Sequence, residues 1–386
     1  MSCILRLIEA MMSYQAYPFA VFSGVVLLIA LVNFLYVPKL NRGSGSAGRR
    51  LSILVPARDE ERNIEGCLSS LLSQDHTDYE VIVLNDGSKD RTGEIIERLR
   101  LIHLNLRSIE GMPLPEGWRG KNWACWQLAR AASGEVLLFT DADTVHGKAS
   151  GSCACNALEA SGAGLVSGMV RQRMLSMPEM LMVPVMNWAM MCFMPLPLAH
   201  VKGRFILPAA CGQYMAFTRA SYERCGGHEA IREKVLDDSE LARSVKSAGM
   251  QALLYDATDQ VSCRMYANAG EAVSGFTKNL FSVFGNRALL HVFIWTWLLL
   301  TTMVPLVYLI AFPRGDYALP ALISALLNLS YWSLAFSKAK VPVLLALAYP
   351  LMMPLWFWLA MRSMARVLSG RATWKGRNLG KGQFRI

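Results

Sequence analysis

Val136-Leu-Leu-Phe-Thr-Asp-Ala-Asp143 is an apolar run that ends in two carboxylates one residue apart. A short apolar run of this kind predicts a buried β-strand, with Asp141 and Asp143 at its exit. Carboxylates placed in this way can chelate a divalent cation through hard oxygen ligands. The pattern also arises by chance, because an aspartate after a strand often only stabilises a turn.

Two further acidic stretches support a binding role for Asp141 and Asp143. Tyr79-Glu-Val-Ile-Val-Leu-Asn-Asp86-Gly-Ser-Lys-Asp90 is a second strand that leads into an acidic turn, and Val235-Leu-Asp-Asp-Ser-Glu-Leu241 is a third acidic cluster. A bound divalent cation can neutralise a diphosphate. Together the three stretches predict a site for a nucleotide-linked sugar.

Strands and helices alternate from residue 51 onward. Strands are predicted at 51–56, 80–84 and before Asp141, and helices through Leu72, at 92–101 and at 123–132. This alternation predicts a Rossmann-like α/β domain with a mostly parallel sheet. Ligands of such sheets bind at the carboxyl ends of the strands, where Asp59, Asp86 and Asp141 fall.

The chain is too apolar for a wholly soluble protein, with 53% hydrophobic and 18% charged residues over 386 positions. Residues 17–37 predict a transmembrane helix, with a cleaved signal peptide as the alternative. The basic residues that follow place the next domain in the cytoplasm. We therefore expect a multi-pass cell-membrane protein with a cytoplasmic α/β domain.

Three more apolar stretches, 289–312, 318–336 and 341–361, predict two or three further crossings. The tail at 362–386 carries seven Lys/Arg and no acid, which favours the cytoplasmic side. If the N-terminal helix and all three later stretches cross the membrane, a cytoplasmic α/β domain would place the tail on the outer side. Either the tail is exported, or one stretch does not span, and 318–336 is the weakest candidate because of its polar residues.

The predicted organisation has six parts: an N-terminal segment (1–16), a transmembrane helix (17–37), a linker (38–50), an α/β domain (51–285), a membrane domain (286–361) and a basic tail (362–386). The net charge of +10 is concentrated near the membrane boundaries, which favours anionic lipid headgroups over nucleic acid as its partner. The scattered cysteines predict reduced, structural thiols.

Each acidic stretch has a candidate role. Asp59 and Asp86 can accept hydrogen bonds from a uracil edge and a ribose, although Asp86 also suits a plain turn. Asp143, assisted by Asp141, would hold Mg²⁺ or Mn²⁺ against the diphosphate. Lys121 could add a second positive charge there.

Asp238 is the candidate general base, since the neighbouring acids Asp237 and Glu240 could raise its pKa by charge repulsion. Its place at a predicted helix start makes helix capping the competing interpretation. His228 fits a satisfied polar residue better than a base, and it is also a tentative contact of the acceptor. The Met- and Trp-rich segment 178–207, with Trp188, predicts either an acceptor-lining surface or an ordinary buried helix.

Four ordered motifs resemble the family 2 inverting glycosyltransferases with a GT-A fold, over roughly residues 50–285. They are Val55-Pro-Ala-Arg-Asp-Glu-Glu61, Asn85-Asp-Gly-Ser88, Asp141-Ala-Asp143 and Leu236-Asp-Asp-Ser-Glu-Leu241. Three more resemble the membrane branch that contains carotenoid (chlorobactene) glucosyltransferases, with hopene-associated glycosyltransferases as relatives: Leu114-Pro-Glu-Gly-Trp-Arg-Gly-Lys-Asn-Trp-Ala124, Cys263-Arg-Met-Tyr266 and Gly275-Phe-Thr-Lys-Asn279. The tail motif Trp374-Lys-Gly-Arg377 resembles a juxtamembrane motif of that branch.

The resemblance implies that Asp59 and Asp86 contact the nucleoside, that Asp143 binds the metal, and that Asp238 deprotonates the acceptor with inversion at the anomeric carbon. It also suggests Arg264 near the diphosphate and Tyr266 as an acceptor platform. The chain departs from the family's second acidic pair, with Asn85-Asp86 in its place, and lacks the Gln-x-x-Arg-Trp motif of processive members.

These observations predict an enzyme that transfers one sugar, expected to be glucose, from a UDP-sugar to a hydroxyl of a membrane lipid such as a carotenoid or another polyisoprenoid. A processive polysaccharide synthase is the alternative within the same family. A catalytically inactive, nucleotide-binding membrane scaffold is the alternative from another class. A transporter is disfavoured, because the C-terminal apolar stretches lack the charged residues that mark a substrate path.

Overall fold

A computed structural model describes residues 2–43, 48–202, 207–311, 313, 315–370, 373–374 and 377–378 of the chain. Over these residues the β-strands are β1 (Leu51–Ala57), β2 (Tyr79–Asn85), β3 (Leu106–Glu110), β4 (Val136–Phe139), β5 (Thr144–His146), β6 (Leu165–Met169), β7 (Arg171–Gln172), β8 (Met215–Thr218), β9 (Ala252–Asp256), β10 (Val261–Cys263), β11 (Thr373–Trp374) and β12 (Arg377–Asn378).

The first α-helices along the same residues are α1 (Ser2–Tyr36), α2 (Ile64–Leu71), α3 (Thr92–Arg100), α4 (Gly120–Ala131), α5 (Ser150–Ser161), α6 (Met177–Met182), α7 (Pro184–Phe193) and α8 (Leu196–Ala199). They are followed by α9 (Arg219–Arg224), α10 (Gly227–Ala230), α11 (Asp237–Ser247), α12 (Ala269–Asn279), α13 (Ala288–Ala311), α14 (Ala318–Lys338) and α15 (Tyr349–Leu368). Short 3₁₀ turns lie at Ser282–Phe284 and Val343–Ala348.

The chain divides into two compact units. An α/β unit comprises Val37–Arg173 and Leu196–Met265, and a helical unit comprises Met1–Tyr36, Met174–Pro195 and Tyr266–Ile386. The predicted α/β domain, 51–285, has different borders. Residues 174–195 and 266–285 belong instead to the helical unit, where α6, α7 and α12 pack against its long helices.

The α/β unit is built on a seven-stranded sheet in the order β3-β2-β1-β4-β8-β6-β9. The neighbours from β3 to β4 are parallel, as are β6 and β9, and only β8 runs against its neighbours β4 and β6. The predicted mostly parallel α/β sheet is confirmed. A second, three-stranded sheet has the order β5-β10-β7.

Both faces of the large sheet are buried. Successive residues of a strand point to opposite faces, and apolar residues lie on each of them. Ile53 and Val83 lie in the apolar core on one face, and Leu54 and Ile82 lie in the core on the other. Near-continuous apolar strands are what a parallel sheet covered by helices on both faces requires. The chain leaves β1 outward to β2 and β3 and then returns to β4 on the other side of β1, so a crevice opens where β1 and β4 end.

The α/β unit contains a buried acidic residue at the other end of these strands. The carboxylate of Glu80 on β2 accepts hydrogen bonds from the hydroxyls of Ser52 (2.7 Å) and Ser133 (2.6 Å), and it pairs with Arg107 at 3.0 Å. Burial opposes ionisation, but the hydrogen bonds from the two serines and Arg107 outweigh it and lower the pKa of Glu80 to about 2. The charged carboxylate therefore links β1, β2 and the turn before β4.

In the helical unit, α1 begins at Ser2, well before the predicted start at residue 17. No glycine or proline interrupts the chain before Pro18, so nothing in the sequence ends the helix earlier. Among the residues that the structure describes, four helical segments are long and apolar enough to cross a membrane by length and composition: Ala16–Tyr36, Ala288–Ala311, Ala318–Lys338 and Val343–Leu368.

The segment with the lowest mean hydropathy of the four is Ala318–Lys338, at 1.4. One of its polar side chains, Asn328, is buried and donates hydrogen bonds to the carbonyl of Ser324 (2.8 Å) and to the hydroxyl of Ser23 on α1 (3.4 Å). Polar contacts between apolar helices are a normal means of helix association. Asn328, one of the polar residues that made this stretch the weakest transmembrane candidate, thus forms hydrogen bonds inside the helical unit.

Several predictions for the rest of the chain fall partly beyond the described residues. The motif Trp374–Arg377 includes residues 375 and 376, which lie outside them, and most of the tail 362–386 beyond residue 370 does as well. Residues 44–47 of the predicted linker and 203–206 of the Met- and Trp-rich segment are also outside.

We predict that Glu80→Ala lowers the free energy of unfolding of the α/β unit by about 3 kcal/mol, because it removes the acceptor of a buried charged network and leaves Arg107 uncompensated. Chemical denaturation of the detergent-solubilised protein, followed by tryptophan fluorescence, measures the loss. Glu135→Ala, at an exposed position beside the same network, is the matched control. Equal stability of the two variants would contradict a structural role for the Glu80 carboxylate.

Candidate active site at the carboxyl edge of the sheet

Three of the predicted acidic residues meet at one edge of the large sheet. Asp59, Asp86 and Asp141 follow β1, β2 and β4, which are adjacent in the order β2-β1-β4. Parallel strands end at the same edge, so the strand-end positions inferred from the sequence come together there. The acids form two groups, one around Arg58 and one around Lys121.

Arg58 joins the first two acids. Its guanidinium lies 3.9 Å from the carboxylate of Asp59 and 3.8 Å from that of Asp86, and it donates a short hydrogen bond to the backbone oxygen of Asp86. The Arg58 side chain is only 12% exposed, so these charges meet largely out of water. Arg58 was not predicted as a site residue, although it directly precedes Asp59 at the exit of a predicted strand.

The backbone at Asp59 is held in an unusual conformation, with φ of 51°. This left-handed region is uncommon for residues other than glycine, and aspartate is among those that adopt it most readily. The amide of Asp59 donates to the Ser88 hydroxyl (3.0 Å), and its carboxylate accepts from the amide of Lys89 (2.7 Å). The loop after β1 is therefore tied to the loop after β2.

Lys121, near the start of α4, bridges the second group. Its ammonium nitrogen lies 2.8 Å from the carboxylate of Asp141 and 3.0 Å from that of Asp237. Burial alone would lower the pKa of Lys121, but the two carboxylates raise it well above the usual value. Lys121 is therefore a fixed positive charge that connects the end of β4 with the start of α11.

The second carboxylate after β4, Asp143, is in a different state. Its Oδ1 atom is buried and accepts no hydrogen bond within the described part of the chain. Burial first, and then the charges of Asp141 and Glu60, raise the pKa of Asp143 to about 7, although the Cys263 thiol donates to this carboxylate and opposes the rise. A buried carboxylate oxygen without a partner fits a place where a cation binds.

The donor set fits a divalent cation of the Mg²⁺ or Mn²⁺ type. Within the described residues, no group of three or more His, Cys, Asp or Glu side chains is arranged to hold a metal. Asp141 and Asp143 could therefore supply one or two carboxylate ligands, and water and phosphate oxygens would complete the shell. That division between protein and substrate oxygens is the usual one for Mg²⁺.

The candidate base, Asp238, lies in the first turn of α11. Burial and the adjacent charge of Asp237 raise the pKa of Asp238 to about 6. Burial would also raise the pKa of Asp237, but the ion pair with Lys121 outweighs it and lowers that pKa. Neighbouring carboxylates with pKa values pushed in opposite directions are typical of acid–base sites.

Asp238 is not the N-cap residue of α11. That position belongs to Leu236, which makes no side-chain cap hydrogen bond. The Asp238 carboxylate accepts from the amide of the next residue, Ser239, at 2.7 Å. Among the described residues, both hydrogen bonds of this carboxylate fall on its Oδ1 atom.

Gly212 lies against this group of charges. A β-carbon built at Gly212 would lie 3.5 Å from the Lys121 ammonium and 3.7 Å from the β-carbon of Asp238. A larger side chain there would occupy the space beside both functional groups.

The remaining predicted residues have the following places. The amide of Arg264 donates to the backbone oxygen of Asp143 (3.4 Å), so the end of β10 borders the β4 loop. His228 is buried, its ring nitrogen pairs with the Tyr222 hydroxyl at 2.8 Å, and burial lowers its pKa to about 3. His228 is thus a neutral, satisfied core residue, as favoured over a base, and its burial does not fit the tentative acceptor contact.

Tyr266 and Trp188 belong to the helical unit. The ring of Tyr266 lies 5.1 Å from that of Phe276 and covers Gly275. Trp188 is 1% exposed and stacks on Trp332 with ring centroids 4.3 Å apart. Burial at this position favours the core interpretation for Trp188 and leaves Tyr266 as the candidate acceptor contact.

Comparison with known proteins adds a family match. Residues 52–226 match the family described as "Glycosyl transferase family 2". Two similar curated relatives are each named 4,4'-diaponeurosporenoate glycosyltransferase. The one from Staphylococcus haemolyticus is 25% identical over 61% of this chain and 62% of its own length, and the one from Staphylococcus aureus is 25% identical over 60% and 61%. The chain therefore matches only about three fifths of the length of these relatives.

Among solved structures, the chain is similar to a mannosyltransferase from Pyrobaculum calidifontis in complex with GDP-mannose and Mn²⁺. The two share 19% sequence identity with a TM-score of 0.52, over 93% of this chain and 98% of that one. At this identity the likeness concerns the fold, and together with the family match it confirms the predicted GT-A fold class.

We predict that Mn²⁺ affinity strengthens as pH rises from 6 to 8, because a metal ligand must be deprotonated and the pKa of Asp143 is about 7. Asp143→Asn should weaken Mn²⁺ binding about tenfold or more and remove this pH dependence, as measured by isothermal titration calorimetry without any substrate. Asp78→Asn, at an exposed surface ion pair, is the control. Unchanged affinity in Asp143→Asn would exclude Asp143 as a ligand.

Proposed function

Because the chain carries a glycosyltransferase family 2 domain over residues 52–226, we propose that it transfers a single sugar from a UDP-sugar to a hydroxyl group of a membrane lipid, with inversion at the anomeric carbon. The acceptor that we propose is a carotenoid or another polyisoprenoid, and the sugar is glucose. The observation that carries the proposal is the arrangement of carboxylates around Lys121. Asp143, close to the Lys121–Asp141 ion pair, has a buried oxygen without a hydrogen bond, and Asp238 has a pKa raised to about 6, as suits a proton acceptor.

The group around Arg58 supports a nucleoside site. Asp59 and Asp86 would accept hydrogen bonds from the base and the ribose, while Arg58 pairs with both carboxylates and orients them. The link between the two strand-end loops holds these acceptors at a fixed spacing. Preformed acceptors reduce the entropy that donor binding must overcome.

The diphosphate would lie at the end of β4. Mg²⁺ or Mn²⁺, held by Asp143 and Asp141, would neutralise the charge of the diphosphate as the leaving group departs. Lys121 supplies a permanent positive charge at the same place, because its two carboxylate partners keep it protonated. Arg264, next to the backbone contact with Asp143, is the second cationic side chain that we assign to the donor.

Asp238 would perform the proton transfer. Its carboxylate takes the proton of the acceptor hydroxyl while the oxygen of that hydroxyl forms a bond to the anomeric carbon. The bond from that carbon to the diphosphate oxygen breaks on the opposite face, and UDP leaves with the electron pair. A base with a pKa near 6 is deprotonated at neutral pH and can still accept a proton as the bond forms.

Two observations support a lipid acceptor. Both similar curated relatives carry names of carotenoid-type glycosyltransferases. Four helices of this chain are long and apolar enough to cross a membrane, so an acceptor dissolved in the bilayer could be reached without leaving it. We assign Tyr266, which lies over Gly275 in the helical unit, as the acceptor platform. The basic residues after α1 support a cytoplasmic α/β unit, on the side of the membrane where nucleotide-sugars are made.

We predict that Asp238→Asn lowers kcat about 10³-fold while UDP affinity stays within twofold of the wild type, because the amide cannot accept the proton. In the wild type the rate should fall about tenfold per pH unit below pH 6, as the Asp238 carboxylate becomes protonated. Asp78→Asn again serves as the surface control. Loss of UDP affinity in Asp238→Asn would place this carboxylate in the donor site instead.

We also predict that cells expressing the wild-type gene contain a carotenoid or polyisoprenoid that is heavier by one hexose, and that cells expressing Asp238→Asn do not. Mass spectrometry of total lipid extracts detects the product and identifies the acceptor. Purified enzyme supplied with UDP-glucose, UDP-galactose or GDP-mannose then identifies the donor. A new polymer in the aqueous fraction would favour the processive synthase, and UDP binding without any product would favour the scaffold.

A further inference from the structure

A basic groove lies between α12 and α15 of the helical unit. It has a volume of about 460 Å³, within the range of roughly 300–1,000 Å³ that is common for ligand pockets. Six residues line it: Ala269, Gly270, Val273, Ser274, Arg362 and Arg366. The α12 side therefore offers small side chains, and the α15 side offers two guanidinium groups.

Two contacts hold α15 against α12 and the residues that follow α12. The rings of Phe276 on α12 and Trp356 on α15 lie 4.9 Å apart, and the Phe281 amide donates to the Ser363 hydroxyl at 3.0 Å. Both contacts are buried. The groove is therefore fixed by packing, and small residues on α12 leave it open.

Within the described part of the chain, neither arginine of the groove pairs with an acidic side chain. Arg366 donates to the Thr277 hydroxyl at 3.4 Å, and the Arg362 guanidinium lies 5.3 Å from the centre of the Trp358 ring. Neither forms an ion pair with a carboxylate within the described residues. Two adjacent guanidinium groups without a counter-charge favour an anionic ligand, and phosphate oxygens match the planar donors of arginine.

The position of the groove along the chain indicates which anion binds. Arg362 and Arg366 lie in the last two turns of the candidate span Val343–Leu368. Trp358, half exposed one turn before Arg362, is typical of the zone where the hydrocarbon core meets the headgroups. At that level the abundant anions are phospholipid phosphates, which attract basic residues at the ends of membrane helices.

We propose that α12 and α15 form a binding site for the phosphodiester of an anionic phospholipid, held by Arg362 and Arg366. The first turn of α12, at Ala269 and Gly270, borders the groove, and the positive end of the helix dipole there also favours an anion. This lipid is neither the sugar donor nor the acceptor, so the inference stands apart from the proposed function. It implies that the protein holds one anionic lipid at a defined place.

Native mass spectrometry of the full-length protein in detergent, titrated with phosphatidylglycerol or phosphatidylcholine, tests the site. We expect Arg362→Gln/Arg366→Gln to weaken phosphatidylglycerol binding about 25-fold, at about a factor of five for each basic residue. Phosphatidylcholine binding should not change. A second variant, Ser274→Asp, leaves both arginines in place and should weaken phosphatidylglycerol binding by charge repulsion, which keeps the test decisive if the double variant does not fold.

The matched control is Arg91→Gln/Arg100→Gln on α3, which removes the same charge at exposed surface ion pairs. It should bind phosphatidylglycerol like the wild type. Equal phosphatidylglycerol affinity in the wild type and in the folded groove variants would overturn the proposal. Full displacement of the lipid by an equal concentration of inorganic phosphate would also overturn it, because the groove would then be a site for free anions.

Discussion

The ion pairs of Lys121 with Asp141 and Asp237 are the interactions on which the rest of the site depends. They bring an acid from the end of β4 and an acid from the start of α11 to one ammonium group. Without that charge, Asp141, Asp143, Asp237 and Asp238 would face one another in a partly buried space and repel. Lys121 neutralises one member of each pair and leaves the other, Asp143 or Asp238, available to bind a cation or a proton.

The loop that carries Asp141 and Asp143 rests on a neutral polar core. The Thr144 hydroxyl donates to the backbone oxygen of Asp141 at 2.7 Å, and His146 contacts Thr140 and Thr144 at 2.9 and 3.0 Å. Burial lowers the pKa of His146 to about 3, so this ring adds no charge beneath the acids. A neutral His146 therefore leaves the negative potential of the loop undiminished from below, as a cation site requires.

Much of this arrangement could be predicted from the sequence because it follows from local patterns. Apolar runs that end in aspartate fixed the places of Asp59, Asp86 and Asp141 at one sheet edge, and the α/β alternation predicted the parallel order. The pairing of Lys121 with Asp237 joins distant parts of the chain, and no local pattern indicates it. The borders of the α/β domain were missed for the same reason, since residues 174–195 pack with helices far away in sequence.

The two halves of the site make opposite demands that one lysine can meet. Donor binding needs positive charge at the diphosphate, whereas proton abstraction needs a carboxylate that is not neutralised. Lys121 contacts Asp141 and Asp237 directly. The pKa values rise at two other carboxylates: Asp143, two positions after Asp141, and Asp238, one position after Asp237. A more exposed lysine would be hydrated and its field screened. Its partial burial between two acids is therefore what allows a cation and a base to function side by side.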